Sequence, residues 1–437
     1  MNKRIIGICF LAAFASAVCA QSGTNSPYSQ FGLGLLSDQS GGFNRGMNGL
    51  GIAWRDHQQV NHLNPASYSS IDSLTFIFDA GISGQITNFN ENGVKKNANN
   101  ANFEYAVAAF RAFRHVGVSF GLLPFTNVGY NYQTTYFVDD SKSTTYTNTY
   151  SGEGGLHEVY LGVGWEPFRG FSLGANIAYL WGQYTKNVVN AYSDNSINTL
   201  SKAYAASVRN YKLDVGLQYA VKMGRNDVLT LGATYGLGHK LNADPTCSIT
   251  TTNTQSSVSN NTLHTVKDGL ELPNTFGGGF TWKHNNQLTI GADYQLQQWG
   301  KVAFPDYTGT TGDDVYVLNA NYFKDRHKLT VGGEYCNNVE GSRFLSRLRL
   351  RAGASYATPH LQINGQDGPR ELSVSAGFGI PIVNRNTDRS RGFHPSLVNI
   401  SGQWLQRSAN TLIKENTFLI NIGITFNERW FDKWKFN

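Results

Sequence analysis

Charge is scarce in this sequence: only 15 % of its 437 residues are Asp, Glu, Lys or Arg. Long apolar runs are missing too. Beyond the first twenty residues, no stretch approaches the roughly 18–20 consecutive apolar residues that a transmembrane helix needs. The formal net charge of +6 is mild and scattered, which argues against a nucleic-acid partner. Four cysteines are present, and Cys9 and Cys19 fall inside the expected leader. Cys247 and Cys336 alone make no disulfide framework and are expected to stay unbonded. Metal and catalytic signatures are also lacking. His57 and His62 are five apart, which is not a zinc spacing. Gly117-Val118-Ser119-Phe120-Gly121 matches a nucleophile-elbow pattern. It lies in an alternating stretch rather than at a strand-to-helix turn, so Ser119 reads as an ordinary lumen-facing residue. Asp313-Asp314 reads as a solvated turn. No enzyme, cofactor or metal site is expected.

The first residues look like an export signal. Asn2, Lys3 and Arg4 form a positive start, and an apolar stretch from Ile5 to Ala17 follows. Val18 and Ala20 are small enough for the −3 and −1 positions of a signal peptidase, so cleavage is expected after Ala20, leaving a signal peptide of residues 1–20. Removing Lys3 and Arg4 lowers the charge from +6 to +4.

What is abundant is glycine (47) and tyrosine (22), set in a repeated two-residue alternation. Phe76, Phe78, Ala80, Ile82 and Ile86, with Leu74 before them, fall on one face of a strand; Thr75, Asp79, Ser83, Gln85 and Thr87 fall on the other. The pattern recurs from Ser73 to Phe426 in about fourteen segments near ten residues long, the length a tilted strand needs to cross hydrocarbon. Short connections such as 111–114, 166–170, 222–226 and 283–286 alternate with long polar ones near 89–101, 139–155, 186–210, 239–271 and 300–325. That asymmetry is the one between periplasmic turns and extracellular loops of outer-membrane barrels. The expected fold is therefore all-β: a transmembrane antiparallel barrel over 73–426. Closure satisfies every backbone amide in lipid. Residues 21–72 are rich in Gly and Ser and show no sustained period of either kind, and 427–437 would form a periplasmic tail. The expected location is the outer membrane of a Gram-negative cell.

The last strand alternates strictly. Phe418, Ile420, Ile422, Ile424 and Phe426 line one face, with Trp430, Phe431 and Phe436 beyond. It looks like the aromatic-terminated signal read by the outer-membrane assembly machinery.

One stretch carries a family resemblance. Asn44-Arg45-Gly46-Met47-Asn48-Gly49-Leu50-Gly51-Ile52-Ala53, then Asp56, then Asn64-Pro65-Ala66, resembles the N-terminal hatch of FadL-type outer-membrane transporters. Ser26-Pro27-Tyr28-Ser29 and Asn427-Glu428-Arg429-Trp430 look like the Bacteroidota branch of such proteins. The resemblance implies a fourteen-stranded barrel whose N-terminal segment, residues 21–72, plugs the lumen, with Arg45, Gly46, Asn64, Pro65 and Ala66 as its hatch motif. It also implies passive uptake of hydrophobic small molecules such as fatty acids. Proline cannot donate to a ladder, so Pro124, with Phe125 and Gly129, is expected to kink the third strand. In the family such a kink opens a lateral gap through which solute leaves into lipid. The alternative is a non-transporting barrel in a larger outer-membrane assembly or secretion complex, with lipoprotein or barrel partners.

Overall fold

The computed structural model describes residues 23–138, 144–309, 315–339, 341, 343–382 and 395–429. The expected signal peptide, Asp313-Asp314 and the tail beyond Arg429 lie outside them.

Alternation becomes strand throughout. A short β1 (Leu35–Leu36) precedes seven long-range strands: β2 (Thr75–Glu91), β3 (Val94–Phe113), β4 (Val116–Phe137), β5 (Thr145–Phe168), β6 (Phe171–Tyr192), β7 (Thr199–Met223) and β8 (Asp227–Gly236). A hairpin follows, β9 (Thr246–Thr252) and β10 (Ser259–Thr265). The remaining strands are β11 (Thr275–His284), β12 (Leu288–Gln297), β13 (Arg326–Tyr335), β14 (Arg349–Ala357), β15 (Arg370–Ile382), β16 (Ser396–Ser408) and β17 (Lys414–Arg429). Each of β2–β8 and β11–β17 pairs antiparallel with its neighbours. β17 closes the ring on β2, from Thr75↔Arg429 to Asn90↔Lys414. The result is a closed fourteen-strand barrel, as the alternation predicts. Apolar residues face outward, as at Ile82, Leu161, Leu231 and Val331; polar ones, such as Asp79, Ser119, Thr281 and Ser375, are buried within.

Two sequence expectations are corrected. Leu74 is not part of the first strand; it sits at φ 61° just before it. Several expected loops are wall instead. Residues 89–101 form the ends of β2 and β3 around a two-residue Asn92-Gly93 turn, both at positive φ, the geometry of a tight hairpin. Most of 145–155 and 199–210 is likewise strand. As a result β2–β7 run 17–25 residues, whereas β8 and β11–β14 run 9–10. About ten residues suffice to cross hydrocarbon. The surplus of the tall half therefore stands beyond the lipid belt at the long-loop end, widened there by β9, which pairs with the outer end of β7. These extensions are rich in Thr, Asn, Ser and Tyr on both faces, so no apolar alternation marks them as strands.

Residues 23–72 run through the lumen with little regular structure beyond β1 and three short helices, Pro27–Gln30, Gly42–Arg45 and Pro65–Ser70, and most of their side chains are buried. Above them, at the long-loop end, an apolar cluster fills the mouth. Leu33 of this inner segment packs there with wall residues Val128, Leu180 and Val208 and with loop residues Leu270, Trp299, Phe323 and Leu361.

Candidate functional site: the filled lumen and the slit in its wall

The residues that resemble a hatch all lie against the inner wall. Arg45 is buried, and its guanidinium donates to Glu104 of β3 at 2.8 Å, to Asn421 of β17 at 3.2 Å and to the Ser40 carbonyl at 3.1 Å. Gly46 lies against Arg351, whose Cβ would be 3.1 Å from an added Cβ. Asn64 caps the short helix Pro65–Ser70 by accepting from the Ala66 amide at 3.1 Å. Its amide nitrogen donates to the Ile52 carbonyl at 2.7 Å and to Leu217 of β7 at 3.1 Å. Pro65 begins that helix, where its missing N–H costs nothing. Ala66 is fully buried.

Wall glycines make this seating possible. A Cβ at Gly174 would lie 2.3 Å from the Pro65 carbonyl carbon, and one at Gly216 would lie 2.0 Å from Asn64 Oδ1. At Gly232 and Gly353 the clashes would be with the Ile52 and Met47 carbonyl oxygens, at 2.3 and 2.4 Å. The abundance of glycine in the lumen-facing register is thus a docking surface for another backbone. The sequence showed the abundance but not its purpose.

Charged lumen residues that the sequence reading passed over tie the segment down at the short-turn end. Arg351 donates to Glu334 at 2.6 Å, to Asn399 at 2.5 Å and to Gln59 at 3.2 Å. Arg349 reaches Asp56 at 3.0 Å and Glu334 at 3.2 Å. Asp293 accepts from the Gly51 and Ile52 amides at 2.7 and 2.8 Å. Arg55 meets Glu166 at 3.0 Å. The available signal was a charge at an inward position of an otherwise apolar-outward strand.

The expected kink is a β-bulge. β4 pairs with β5 continuously, but the register shifts between Pro124 and Thr126, leaving Phe125 as the extra residue. The bulge exchanges the faces: Val118 and Phe120 point outward below it, while Val128 and Tyr130 above it enter the apolar cluster. The ladder between β3 and β4 ends at Ala106↔Leu122. Above that point β3 pairs with β2 and β4 pairs with β5, and a slit separates the two. The inner segment lies along it. On the β4 side β1 pairs with Thr126 and Asn127, the Ser37 amide donates to the Phe125 carbonyl at 3.0 Å, and Gln39 donates to the Pro124 carbonyl at 2.6 Å. The Gly129 amide donates to Ser29 Oγ at 3.1 Å. On the β3 side Asn102 donates to the Gly23 carbonyl at 2.8 Å.

Between the seated segment and the apolar mouth lies a cavity of about 350 Å³. Arg45, Glu104, Glu158, Lys212, Asp293 and Lys328 line it, with Arg326, Glu371 and Arg407 above. Several of its charges are paired, as in Lys212 with Glu158 at 3.2 Å and with Asp214 at 2.7 Å, and Arg407 with Glu371 at 2.8 Å, whereas Asp293 Oδ1 has no hydrogen-bond partner among the described residues. Leu35, Leu63, Leu123, Phe125 and Leu419 line it as well, so an apolar solute would meet apolar side chains and, beside them, charges whose hydrogen bonds it could not replace. Among the described residues no group of three His, Cys, Asp or Glu side chains could hold a metal ion. Cys247 and Cys336 are free.

In β17, Phe418, Ile420, Ile422 and Phe426 face outward and are about half exposed, with Ile424 half-buried between them. They form part of the lipid-facing belt beside the closing seam.

A protein-family model named BamG matches residues 1–437, the whole sequence. The chain belongs to the BamG family. No curated protein matches it. Among solved structures, the family member is similar to a FadL homologue of Pseudomonas aeruginosa, at 10 % identity and a TM-score of 0.62, covering 90 % of this chain and 99 % of that one. It is also similar to the Ralstonia pickettii toluene transporter TbuX, at 14 % identity and a TM-score of 0.59, covering 89 % and 98 %. The P. putida toluene transporter TodX matches at 14 % identity and a TM-score of 0.58, covering 91 % and 100 %. At such identities these likenesses establish a shared fold, that of FadL-type hydrophobic-compound channels.

Proposed function

We propose that this chain is a permanently plugged outer-membrane barrel that serves as a docking subunit of a larger outer-membrane assembly, with its long-loop end outside. The carrying observation is the lumen: a cavity that carries paired charges, closed by a segment held to the wall through ion pairs on one side and by an apolar lid on the other. Moving an apolar solute through it would require breaking both closures and desolvating paired charges. The family name, BamG, points the same way, toward the β-barrel assembly machinery. On this reading the barrel anchors the assembly, and the tall half carries the surface that meets lipoprotein or barrel partners. The outward face of β17, Phe418 to Phe426, acts during the chain's own insertion as the signal read by that machinery.

A second reading rests on the slit beside Pro124. A FadL-like channel would take an apolar solute among the outer loops and release it sideways between β3 and β4, where each buried CH₂ gains about 0.8 kcal/mol in lipid. The segment Gly23–Gln39, bonded to both lips, would have to leave first. Native purification in mild detergent separates the two readings. The docking reading expects a protein partner at fixed stoichiometry and no retained apolar solute. The channel reading expects bound apolar solute, with uptake lost when Pro124→Val and Gly129→Val restore a regular ladder.

A further inference from the structure

The tall half ends in an open strand edge. β10 pairs with β9 on one side, from Thr246↔Thr265 to Thr252↔Ser259, and among the described residues with nothing on the other. Six of its seven residues are exposed, so no described loop or wall segment covers it. The Val266 amide donates to Pro245, and the Asn253 amide to Val258. In an antiparallel ladder hydrogen-bonded pairs alternate, so residues 260, 262 and 264 also bond inward to β9. The amides and carbonyls of Ser259, Asn261, Leu263 and Thr265 therefore point away from the sheet. Protected edges carry charges, proline, bulges or a cover. Ser259-Asn260-Asn261-Thr262-Leu263-His264-Thr265 has no proline and no acidic or lysine residue, and its ladder is regular. Flanking it, Val258 is 60 % exposed and, within it, Leu263 is 63 % exposed.

We propose that β10 is a β-addition site, where an extended segment of a second cell-surface protein adds a strand to the wing formed by β4–β7, β9 and β10. This rests on the docking reading above and names the surface that docks. The occupant is a different polypeptide rather than a second copy. Copies in one membrane are related by rotation about its normal, so both β10 strands would descend side by side with like backbone groups at equal height. An incoming segment instead supplies a complementary ladder and an aliphatic side chain opposite Leu263. Main-chain bonds provide the affinity and alternate side chains the selectivity.

The test uses the full-length protein purified natively from outer membranes, compared with the same protein stripped of partners. Amide exchange over 259–265 should be fast in the stripped barrel and slowed in the complex. Asn261→Pro and Leu263→Pro each remove an outward amide, together with the Asn261 side-chain bonds to Ser248 and Thr250 or the exposed Leu263 side chain, and leave the inward ladder to β9. They should keep the heat-modifiable barrel and lose the partner, while Asn261→Ala, which loses the same side-chain bonds but keeps the amide, retains it. A partner retained by both proline variants, or unchanged exchange over 259–265 in a partner-bound complex, overturns this inference and leaves the docking reading standing. Absence of any stoichiometric partner from wild type overturns both.

Discussion

The two ends of the lumen are closed by opposite chemistry. At the short-turn end, residues 43–70 are seated by Arg349 on Asp56, Glu166 on Arg55, Arg351 on Gln59 and Asp293 on the Gly51 and Ile52 amides, with Glu334 of the wall bracing both arginines, and by glycines that let backbone touch backbone. At the long-loop end, Trp299, Phe304, Phe323 and Leu361 close the mouth by apolar packing. The first closure is directional, and each of its parts depends on the others being in place. The second is a hydrophobic cluster built from loops, where burial counts more than geometry. A solute could part the lid far more easily than it could release the plug.

Breaking the ionic closure should have the largest effect. Arg351→Ala removes the bond to Gln59 of the inner segment, leaves the wall residue Glu334 with only Arg349, and takes the arginine from the Asn399 and Gln59 side-chain oxygens. Removing one partner of a buried pair costs about 3–5 kcal/mol. The folded band should convert at markedly lower temperature on a heat-modifiability gel, and residues 43–70 should become protease-sensitive.

Breaking the lid should act locally. Phe323→Ala removes the ring shared by Trp299, Phe304 and His360, a truncation worth about 3–5 kcal/mol in a well-packed core and less in one that can collapse. Amide exchange should rise over 299–307, 316–324 and 358–363 and stay unchanged over 43–70.

A smaller step sharpens the contrast from the wall side. Gly174→Ala forces a methyl into the Pro65 backbone and should loosen 64–70 by about 1–3 kcal/mol. Gly278→Ala, with open space around the new Cβ, should change nothing. Limited proteolysis of the two variants side by side checks both.

The smallest effect is acid sensitivity confined to the lid. His360 stacks on Phe323 and lies near Trp299; burial pushes its pKa down to about 3, and Arg326 adds to that. The folded lid therefore holds a neutral ring, whereas an opened lid binds a proton near pH 6.5. Stability is fully present above about pH 6.5 and falls as pH drops from there toward 3. Lid amides should exchange faster at pH 5 than at pH 7.5 after correction for intrinsic rates, and His360→Phe should remove most of the difference.

The sequence made the barrel legible because lipid imposes alternation: outward Leu, Val, Ile and Phe mark the membrane-crossing part of nearly every strand. It concealed the extensions of β2–β7, because water on both sides removes the reason to alternate. Asn64-Pro65-Ala66 could be read as plug sequence, yet what it docks on could not. Gly174 and Gly216 lie about 110–150 residues away and matter through an absent side chain. Pro124 was legible as a break in the ladder. That Phe125 bulges and that Gly23–Gln39 lines the resulting slit depended on contacts far apart in sequence. Arg351 and Glu334 gave only the faint sign of charge in an apolar strand.

The central claim is that the lumen stays shut while the protein works. Ser69 Oγ and Ser172 Oγ are 2.9 Å apart, one on the plug and one on β6. Ser69→Cys with Ser172→Cys, in a background with Cys247 and Cys336 changed to alanine, should lock the plug to the wall through a disulfide. The measurement is uptake of an apolar fluorescent probe by liposomes containing the locked and the reduced protein. With the lumen shut, neither state shows uptake above protein-free liposomes; uptake by the reduced protein that the disulfide abolishes and reductant restores would mean that the inner segment opens.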